Sequence, residues 1–359
     1  MKGIKRRKTR VINIGGVKIG FPHPVSIQSM TTTSTAHIGQ TVKQIHRLGE
    51  SGCEIVRVAV LNQKEALCLK DIKKQISLPL VADIHFDYHL ALAAMAAGCD
   101  AVRINPGNIY KKEHLIQIAR QAKQTRIPIR IGANSGSLQY GKGSKKSVES
   151  LMVRSVLNVI KIFEKEKFYD IIISLKSSDI FQTIAAYEKI AKLVRYPMHL
   201  GITSAGLPQA GVIKSSIGIG FLLIKGIGDT IRVSLTGKPE KEVQAAKYLL
   251  TSLGLRSFAP EIISCPTCGR CKVNLPLIAG KVERKLLSLK EYFPGICRLK
   301  IAVMGCEVNG PGEARGADVG VACSRTSALL FAKGKKIKKI KLNSISEELI
   351  KFIKNEMVR

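Results

Sequence analysis

The sequence has no tryptophan, and aromatic residues make up only 5% of its 359 residues. Few side chains are therefore available to stack on unpaired bases, which argues against a nucleic-acid-binding protein. Sequence patterns typical of helix-turn-helix, zinc-finger or RNA-recognition domains are also missing. Long apolar runs are equally scarce: the longest, Ser215–Ile224, is ten residues between Lys214 and Lys225. This is well short of the roughly 18 residues that suggest a membrane span, so none is expected.

Two further absences concern the cellular compartment. The first residues are basic, but no apolar segment follows them, so a signal peptide is not expected. The nine cysteines are an odd number, which argues against a disulfide framework. We therefore expect a cytoplasmic protein. Cys53, Cys68 and Cys99 stand singly in apolar surroundings and are expected to be buried thiols, whereas the other six lie in the last hundred residues.

Acidic residues are also few: 26 stand against 58 basic ones, for a net charge of +32. Six basic residues lie in positions 1–10 and six lysines in 333–341, with no acid in either stretch. A basic chain attracts nucleic acid, anionic lipid or phosphorylated substrates. The simplest interpretation is a lysine-rich, solvated surface.

Eight short runs rich in β-branched residues recur in the first 255 residues, with amphipathic stretches between them. The runs are Val25–Ser29, Glu54–Val60, Pro79–His85, Ala101–Pro106, Pro128–Ala133, Asp170–Lys176, Met198–Thr203 and Thr230–Leu235. Their starts are 22 to 42 residues apart, which suits a strand followed by a crossover helix. The pattern predicts an α/β fold with an N-terminal TIM (β/α)8 barrel over residues 1–255. A Gly-Gly turn predicts a hairpin outside the barrel at residues 10–20.

Chemistry in such a barrel belongs at the C-terminal ends of the strands. Those ends carry polar and cationic side chains. They are Gln28, Arg57, Asp83 with His85, Arg103, Asn105, Arg130, Asn134, Lys176, Arg232 and Ser234. Five cations at one mouth would repel each other unless an anion compensates, so we expect an anionic ligand such as a di- or polyphosphate. Separate structural ion pairs are the alternative. Asp83 with His85 is the best internal acid–base candidate.

The alternation of strand-like and amphipathic segments stops after Leu255. Residues 256–359 are predicted to form a smaller α+β domain. This domain contains Cys265-Pro-Thr-Cys268-Gly-Arg-Cys271 and Cys306. A zinc site would need a second close Cys/His pair, which does not follow. Iron–sulfur ligation needs three or four soft ligands on loops. Spacing alone allows two triplets, Cys265/Cys268/Cys306 or Cys265/Cys268/Cys271.

These residues resemble the bacterial 4-hydroxy-3-methylbut-2-enyl diphosphate synthase family, and the resemblance covers nearly the whole chain. The motifs that carry it are Ser29-Met30-Thr31, Val56-Arg57-Val58, Ala82-Asp83-Ile84-His85-Phe86, Val102-Arg103-Ile104-Asn105-Pro106-Gly107-Asn108, Ile131-Gly132-Ala133-Asn134-Ser135-Gly136, Ser174-Leu175-Lys176-Ser177-Ser178, His199-Leu200-Gly201-Ile202-Thr203, Gly226-Ile227-Gly228-Asp229-Thr230-Ile231-Arg232-Val233-Ser234, Ser264-Cys265-Pro266-Thr267-Cys268-Gly269-Arg270 and Met304-Gly305-Cys306-Glu307-Val308-Asn309-Gly310-Pro311-Gly312-Glu313-Ala314. The last two are highly specific.

The resemblance implies a cytoplasmic oxidoreductase with one 4Fe–4S cluster bound by Cys265, Cys268, Cys306 and Glu313. Cys271 is then an extra thiol. Glu313 is also a catalytic candidate, because a carboxylate is an exchangeable ligand that leaves an iron available to substrate oxygen. The implied reaction is the reductive ring opening and dehydration of 2-C-methyl-D-erythritol 2,4-cyclodiphosphate to (E)-4-hydroxy-3-methylbut-2-enyl diphosphate. This reaction belongs to the non-mevalonate pathway of isoprene biosynthesis.

The resemblance also implies site roles and partners. The five cations would neutralise the diphosphate, Gln28, Asn105, Asn134 and Ser234 would orient it, and Asp83 would manage a proton. Flavodoxin or ferredoxin is the implied electron donor. A homodimer is expected, in which the cluster domain of one subunit closes over the barrel of the other. Neither specific nucleic acid nor a membrane is implied as a partner.

One position departs from the family pattern. Where the family usually reads Thr-Glu-Ala-Gly, this chain has Thr203-Ser204-Ala205-Gly206, so an acid is missing at the barrel mouth. Two other functions compete with the main interpretation. One is a barrel enzyme acting on another phosphorylated compound with a purely structural cluster. The other is a basic iron–sulfur protein with a nucleic-acid-binding or regulatory function. Such a protein would carry its charges on the outer surface rather than within strands.

Overall fold

The computed structural model describes residues 3–138, 147–289, 292–306, 312 and 314–357. The chain divides into two compact units, the first ending at Arg256 and the second beginning at Ser257. Within the described residues, no helix combines the length and the apolar character needed to cross a bilayer.

The first unit contains a sheet of eight parallel strands in the order β8-β7-β6-β5-β4-β3-β10-β9. The strands are β3 (Ser26–Met30), β4 (Ile55–Val60), β5 (Leu80–Ile84), β6 (Ala101–Ile104), β7 (Ile129–Asn134), β8 (Ile171–Lys176), β9 (His199–Leu200) and β10 (Thr230–Ile231). A parallel bridge between Ile173 and Met198 joins the two ends of this order. The sheet therefore closes into a barrel, and the predicted TIM-barrel fold is confirmed.

A helix follows each barrel strand. The helices are α1 (Ile38–Ser51), α2 (Gln63–Lys73), α3 (Tyr88–Ala96), α4 (Lys112–Thr125), α5 (Val148–Lys165), α6 (Ile180–Leu193), α7 (Pro208–Ile224) and α8 (Pro239–Ser252). Several start where a side chain accepts a hydrogen bond from an otherwise unpaired amide. Asn62 accepts from the Glu65 amide at 3.0 Å, and Asp179 accepts from the Gln182 amide at 2.9 Å. Such caps typically stabilise a helix by about 1 kcal/mol.

Helix α7 contains the longest apolar run of the sequence, which carries little amphipathic signal. Its glycines explain how it packs. A Cβ atom on Gly218 would lie 2.6 Å from Ile202, and one on Gly211 would lie 2.8 Å from Leu235. The helix therefore approaches the barrel more closely than a helix with larger residues at these positions.

A short hairpin closes the N-terminal end of the barrel. Its strands β1 (Ile12–Ile14) and β2 (Val17–Ile19) pair antiparallel, as predicted from the Gly-Gly turn. Three buried isoleucines of this hairpin form one apolar cluster with four inward-facing residues at the strand starts. The cluster is Ile12, Ile14, Ile19, Ile55, Val81, Ala101 and Ile172. Because this end is filled with apolar side chains, polar chemistry inside the barrel is confined to the opposite end.

The second unit is built on a five-stranded sheet in the order β11-β12-β13-β14-β15. The strands are β11 (Glu261–Ser264), β12 (Lys300–Met304), β13 (Val319–Cys323), β14 (Ser327–Ala332) and β15 (Lys335–Lys341). The first three run parallel, and the last two pairings are antiparallel. Helices α9 (Leu275–Leu289) and α10 (Ile345–Glu356) contribute to the core of this unit.

The structure corrects two details of the sequence interpretation. The seventh and eighth barrel strands are two residues long rather than six, because the chain leaves the ladder after Leu200 and Ile231. Cys68 is only half-buried, whereas Cys53 and Cys99 are 3% exposed as predicted. Burial raises the pKa of both Cys53 and Cys99 to about 12, so these two thiols stay protonated at neutral pH.

Candidate active site

Side chains from opposite sides of the barrel meet in its interior. The clearest link is the hydrogen bond that Arg130 on β7 donates to the Gln28 side chain on β3. Because side chains alternate along a strand, this bond shows which face of each strand points inward. Gln28 and Arg130 are both buried polar residues of the barrel interior.

Asp83 is the centre of a charged cluster in this mouth. Its Oδ1 lies 3.0 Å from Nη1 of Arg103, and its Oδ2 lies 3.4 Å from Nε of Arg57. His85 adds a ring nitrogen 3.5 Å from Oδ1. Burial by itself would raise the pKa of Asp83, but the charges of the two arginines and the His85 hydrogen bond hold that pKa well below its usual range. Asp83 is therefore an ionised counter-ion at neutral pH.

Arg232 has a separate counter-ion, Glu242, which the sequence analysis did not single out. Two nitrogens of the guanidinium lie 3.2 and 3.3 Å from the two carboxylate oxygens of Glu242. The same carboxylate accepts a hydrogen bond from the Leu235 amide at 3.0 Å and from the Ser29 hydroxyl at 3.2 Å. Glu242 is 4% exposed in the first turn of α8, at a position where the helix otherwise turns apolar residues inward. An acid on that face is the signal that would have found it.

Arg130 and Lys176 differ from the other three cations. In the described part of the chain, neither has a carboxylate within 4.0 Å, and Nη2 of Arg130 has no hydrogen-bond partner. Burial and the neighbouring arginines hold the pKa of both groups well below the ordinary value. Ion pairs therefore account for three of the five mouth cations, and two positive charges are left without a carboxylate.

Two glycines leave space for the side chains of Lys176 and Arg103. A Cβ atom on Gly201 would lie 2.7 Å from Nζ of Lys176, and one on Gly132 would lie 2.7 Å from Nε of Arg103. The Gly132 carbonyl also accepts a hydrogen bond from Arg103 at 3.0 Å. The long side chains thus run flat against neighbouring strands, and a larger residue at either position would displace them.

The remaining predicted side chains lie around the same mouth. Asn105 is buried, donates to the Ser137 hydroxyl at 2.8 Å and accepts from the Gly107 amide at 3.0 Å. It therefore joins the loops after β6 and β7. Asn134 and Ser234 are half-buried at the ends of β7 and beyond β10. Ser204 is exposed and has a φ of +50°, a backbone region that L residues other than Asn and Asp seldom adopt.

His199 is fully buried in the barrel on β9, and neither of its ring nitrogens has a hydrogen-bond partner in the described chain. Burial and the charges of Lys176 and Arg130 hold its pKa well below the usual value. The imidazole is therefore neutral at physiological pH, which leaves the barrel interior with no additional cation from this residue.

In the second unit, the candidate cluster ligands emerge from one edge of the sheet. Cys265 follows β11 and Cys306 follows Gly305 after β12, and these two strands are parallel neighbours. The Gly305 amide donates to Sγ of Cys265 at 3.3 Å. Cys268 is exposed, and its pKa is lowered mainly by a hydrogen bond from the Arg270 amide. Amide donors of this kind favour thiolates, so the chemistry of the donors fits a thiolate-bound metal group.

The extra thiol Cys271 has a different environment. It packs with the apolar core of the second unit and donates to the Val273 carbonyl at 3.3 Å. A Cβ atom on Gly305 would lie 2.5 Å from its sulfur, so glycine is required there. Among the described residues, no three Cys, His, Asp or Glu side chains converge as a preformed metal site. Glu313, the fourth predicted ligand, lies outside the described residues.

The comparison with protein families settles the classification. The chain matches the GcpE TIM-barrel domain over residues 9–247 and the GcpE protein C-terminal domain over residues 261–355. The chain belongs to the GcpE family.

Curated relatives agree with this over nearly the full length. This GcpE-family chain is 50% identical to a Fusobacterium nucleatum protein, with 98% of each chain covered, and 50% identical to one from Caldanaerobacter subterraneus, with the same coverage. It is 49% identical to a Bacillus subtilis protein, over 97% of this chain and 91% of that protein. All three are named 4-hydroxy-3-methylbut-2-en-1-yl diphosphate synthase (flavodoxin). The resemblance inferred from the sequence motifs, and with it the assignment to an enzyme family, is confirmed.

Solved structures resemble the GcpE-family chain in fold alone. A dihydropteroate synthase from Stenotrophomonas maltophilia has a TM-score of 0.52 at 13% identity, covering 69% of this chain and all of that chain. One from Xanthomonas albilineans has a TM-score of 0.51 at 14% identity, covering 68% and 99%.

Proposed function

We propose that this protein is a 4-hydroxy-3-methylbut-2-enyl diphosphate synthase. It opens the ring of 2-C-methyl-D-erythritol 2,4-cyclodiphosphate to form (E)-4-hydroxy-3-methylbut-2-enyl diphosphate. The reaction takes up two electrons and releases one oxygen of the substrate as water. The barrel unit binds the substrate, and the C-terminal unit holds the redox group.

The observation that carries the proposal is the charge of the barrel mouth. Five cations lie on the barrel strands or directly after them, but only Asp83 and Glu242 provide carboxylates within 4.0 Å of them in the described chain. Arg57 and Arg232 also face the sulfur of Met30, at 3.0 to 3.6 Å. A thioether is a weak acceptor, so these guanidinium groups retain donors for a stronger one. A cyclic diphosphate supplies such acceptors together with the negative charge that the cations require.

The cations also have a catalytic role in this proposal. Ring opening breaks a C–O bond to a phosphate oxygen, and negative charge develops on that oxygen. Arg130 and Lys176 stabilise this charge, because they are buried, lack carboxylate partners in the described chain and lie in a poorly solvated site. Gln28 positions Arg130, while Asn105 orders the loops that carry Asn134 and Ser234 beside the substrate.

Asp83 is proposed to act mainly by positioning Arg57 and Arg103. Its depressed pKa makes it a poor proton donor near neutral pH. His85 connects this cluster to the loop after β6. Its Nε2 lies 3.0 Å from Nη1 of Arg103, and its Nδ1 lies 3.2 Å from Nδ2 of Asn108. Asp83 is therefore not assigned as the proton donor for the released water.

One 4Fe–4S cluster is proposed as the redox group, with Cys265, Cys268, Cys306 and Glu313 as its ligands. When bound, it supplies the two electrons one at a time. Support comes from the thiols at one sheet edge and from the amide donors to Cys265 and Cys268. Flavodoxin or ferredoxin is the proposed electron donor, in the cytoplasm. The homodimer implied by the resemblance stays a prediction, and light scattering of the purified protein tests it.

An anaerobic assay tests the function. The protein is reconstituted with iron and sulfide, its cluster is verified spectroscopically, and the cyclodiphosphate is added with a strong chemical reductant. Formation of the hydroxybutenyl diphosphate supports the proposal and shows that Ser204 is compatible with activity. An intact cluster with no turnover, and none after Ser204→Glu, would contradict it. Turnover of another phosphorylated compound under the same conditions would favour the competing barrel enzyme.

A further inference from the structure

We propose that the lysine-rich strand β15 is the docking surface for an acidic electron-carrier protein. The inference rests on the proposed function, because it names the surface through which the redox group is reduced. Six lysines occupy this strand and the turn before it. They are Lys333, Lys335, Lys336, Lys338, Lys339 and Lys341. All six are exposed.

The charge of this surface is largely uncompensated. Two acids lie nearby in the first turn of α10, and each already has a lysine partner: Glu348 pairs with Lys338, and Glu347 pairs with Lys285. In the described chain, the other five lysines of the strand and turn have no carboxylate within 4.0 Å. Five unpaired lysines along one edge strand and the turn before it produce a field that attracts an acidic partner and orients it during approach.

A simpler role does not account for so many lysines. β15 is the last strand in the order of its sheet, and lysine on such an edge discourages pairing with other chains. One or two charges are enough for that purpose. The strand also presents Ile337, which is 46% exposed, in the middle of the lysines. An apolar centre surrounded by charge is the usual composition of a protein-binding patch.

The position of the strand in the sheet supports a redox partner in particular. Two antiparallel pairings separate β15 from β13, so both strands run in the same direction. Lys341 is paired with Ser327, which lies beside the end of β13. The lysine strand therefore ends at the same sheet edge from which Cys265 and Cys306 emerge.

The distance involved is within the reach of one small protein. β15 lies three strands from β12, or about 14 Å at the usual spacing of neighbouring strands. A standard interface covers about 800 Å² on each partner, which corresponds to a patch roughly 30 Å wide. A carrier centred on β15 thus extends over the cysteine edge of the same unit.

The test compares two variants that lose the same charge. The first carries Lys335→Gln, Lys336→Gln, Lys339→Gln and Lys341→Gln. The control carries four substitutions at exposed barrel lysines, Lys43→Gln, Lys112→Gln, Lys161→Gln and Lys165→Gln. Iron content and thermal unfolding verify that both variants are folded and carry the cluster. Binding of a purified acidic flavodoxin is then titrated at low and high salt.

The strand variant is expected to bind flavodoxin about tenfold more weakly than wild type at low salt, with the difference disappearing at high salt because of screening. The control variant should bind like wild type. Equal losses in both variants, or no loss in the strand variant, would overturn the proposal. Loss of RNA binding with unchanged flavodoxin binding would overturn it as well, and would assign the strand to nucleic acid.

Turnover separates this inference from the proposed function. With flavodoxin as donor, the rate of the strand variant should fall by about the same factor, while the rate with a chemical reductant stays at the wild-type value. Failure of the proposed function would abolish turnover with both reductants in wild type. The binding titration would still decide the role of the lysine strand.

Discussion

Replacing Asp83 by asparagine is the sharpest test of how the barrel mouth is held together. The carboxylate lies 3.0 Å from Arg103 and 3.4 Å from Arg57, whose side chains are only 5% and 11% exposed. Asparagine keeps the shape but removes the charge. Both guanidinium groups would then be buried without their counter-ion, near Arg130 and Lys176, whose pKa values burial and the neighbouring arginines already lower.

The expected effect is large because the pair is buried. Breaking a buried ion pair by removing one partner typically costs about 3–5 kcal/mol, whereas an exposed pair contributes less than about 1 kcal/mol. We therefore expect the free energy of unfolding of Asp83→Asn to fall by about 3–5 kcal/mol. For a unit of this size the melting temperature should drop by roughly 10 °C. Asp71→Asn is the matched control, because its pair with Lys74 is exposed.

The pH dependence and an added anion refine the test. Because the pKa of Asp83 is depressed in the folded protein, its stabilising effect is complete above about pH 4 and is lost as the pH falls further. The difference between wild type and Asp83→Asn should therefore shrink in acid. Inorganic diphosphate should stabilise the variant more than wild type. If calorimetry at pH 7 gave the variant a free energy of unfolding within about 1 kcal/mol of the wild-type value, this account of the mouth would be refuted.

Four further substitutions probe other residues of the two units. Lys176→Met should raise the free energy of unfolding by about 1 kcal/mol or more while raising KM at least tenfold, measured by calorimetry and steady-state kinetics. Glu242→Gln should weaken substrate binding through a misplaced Arg232, and the loss should appear in KM more than in kcat. Cys268→Ser should abolish the iron–sulfur absorption of the reconstituted protein, whereas Cys271→Ser should retain it, as iron analysis will show.

Much of the barrel and its mouth could be predicted because the sequence pattern indicates where buried strands lie. A buried strand that contains an arginine, such as Val102-Arg103-Ile104, is unusual enough to mark a site. Parallel strands then bring their C-terminal ends to one edge, so separate motifs become neighbours without any contact being known. The contact of Arg130 with Gln28 across the barrel was not predictable in this way, because Arg130 is the second residue of β7 and Gln28 is the third of β3.

Other features depend on tertiary contacts that the sequence does not reveal. The place of Glu242 on the apolar face of its helix hints at a buried carboxylate, but only the fold shows that this carboxylate reaches Arg232. Helix α7 has apolar residues on all sides, so periodicity could not outline it. The partition of the five cations into paired and unpaired ones also required coordinates, since sequence reveals charges but not their distances.

That partition links stability to function in the barrel mouth. Asp83 and Glu242 hold Arg57, Arg103 and Arg232 in place, which keeps three cations oriented when no substrate is bound. Completing the neutralisation with two more acids would stabilise the protein but would fill the acceptor positions that a diphosphate must occupy. Leaving Arg130 and Lys176 without carboxylates lowers stability, as their depressed pKa values indicate, and reserves two donors for the ligand. In the proposed function, the excess of cations is thus the feature from which affinity for an anionic substrate would arise.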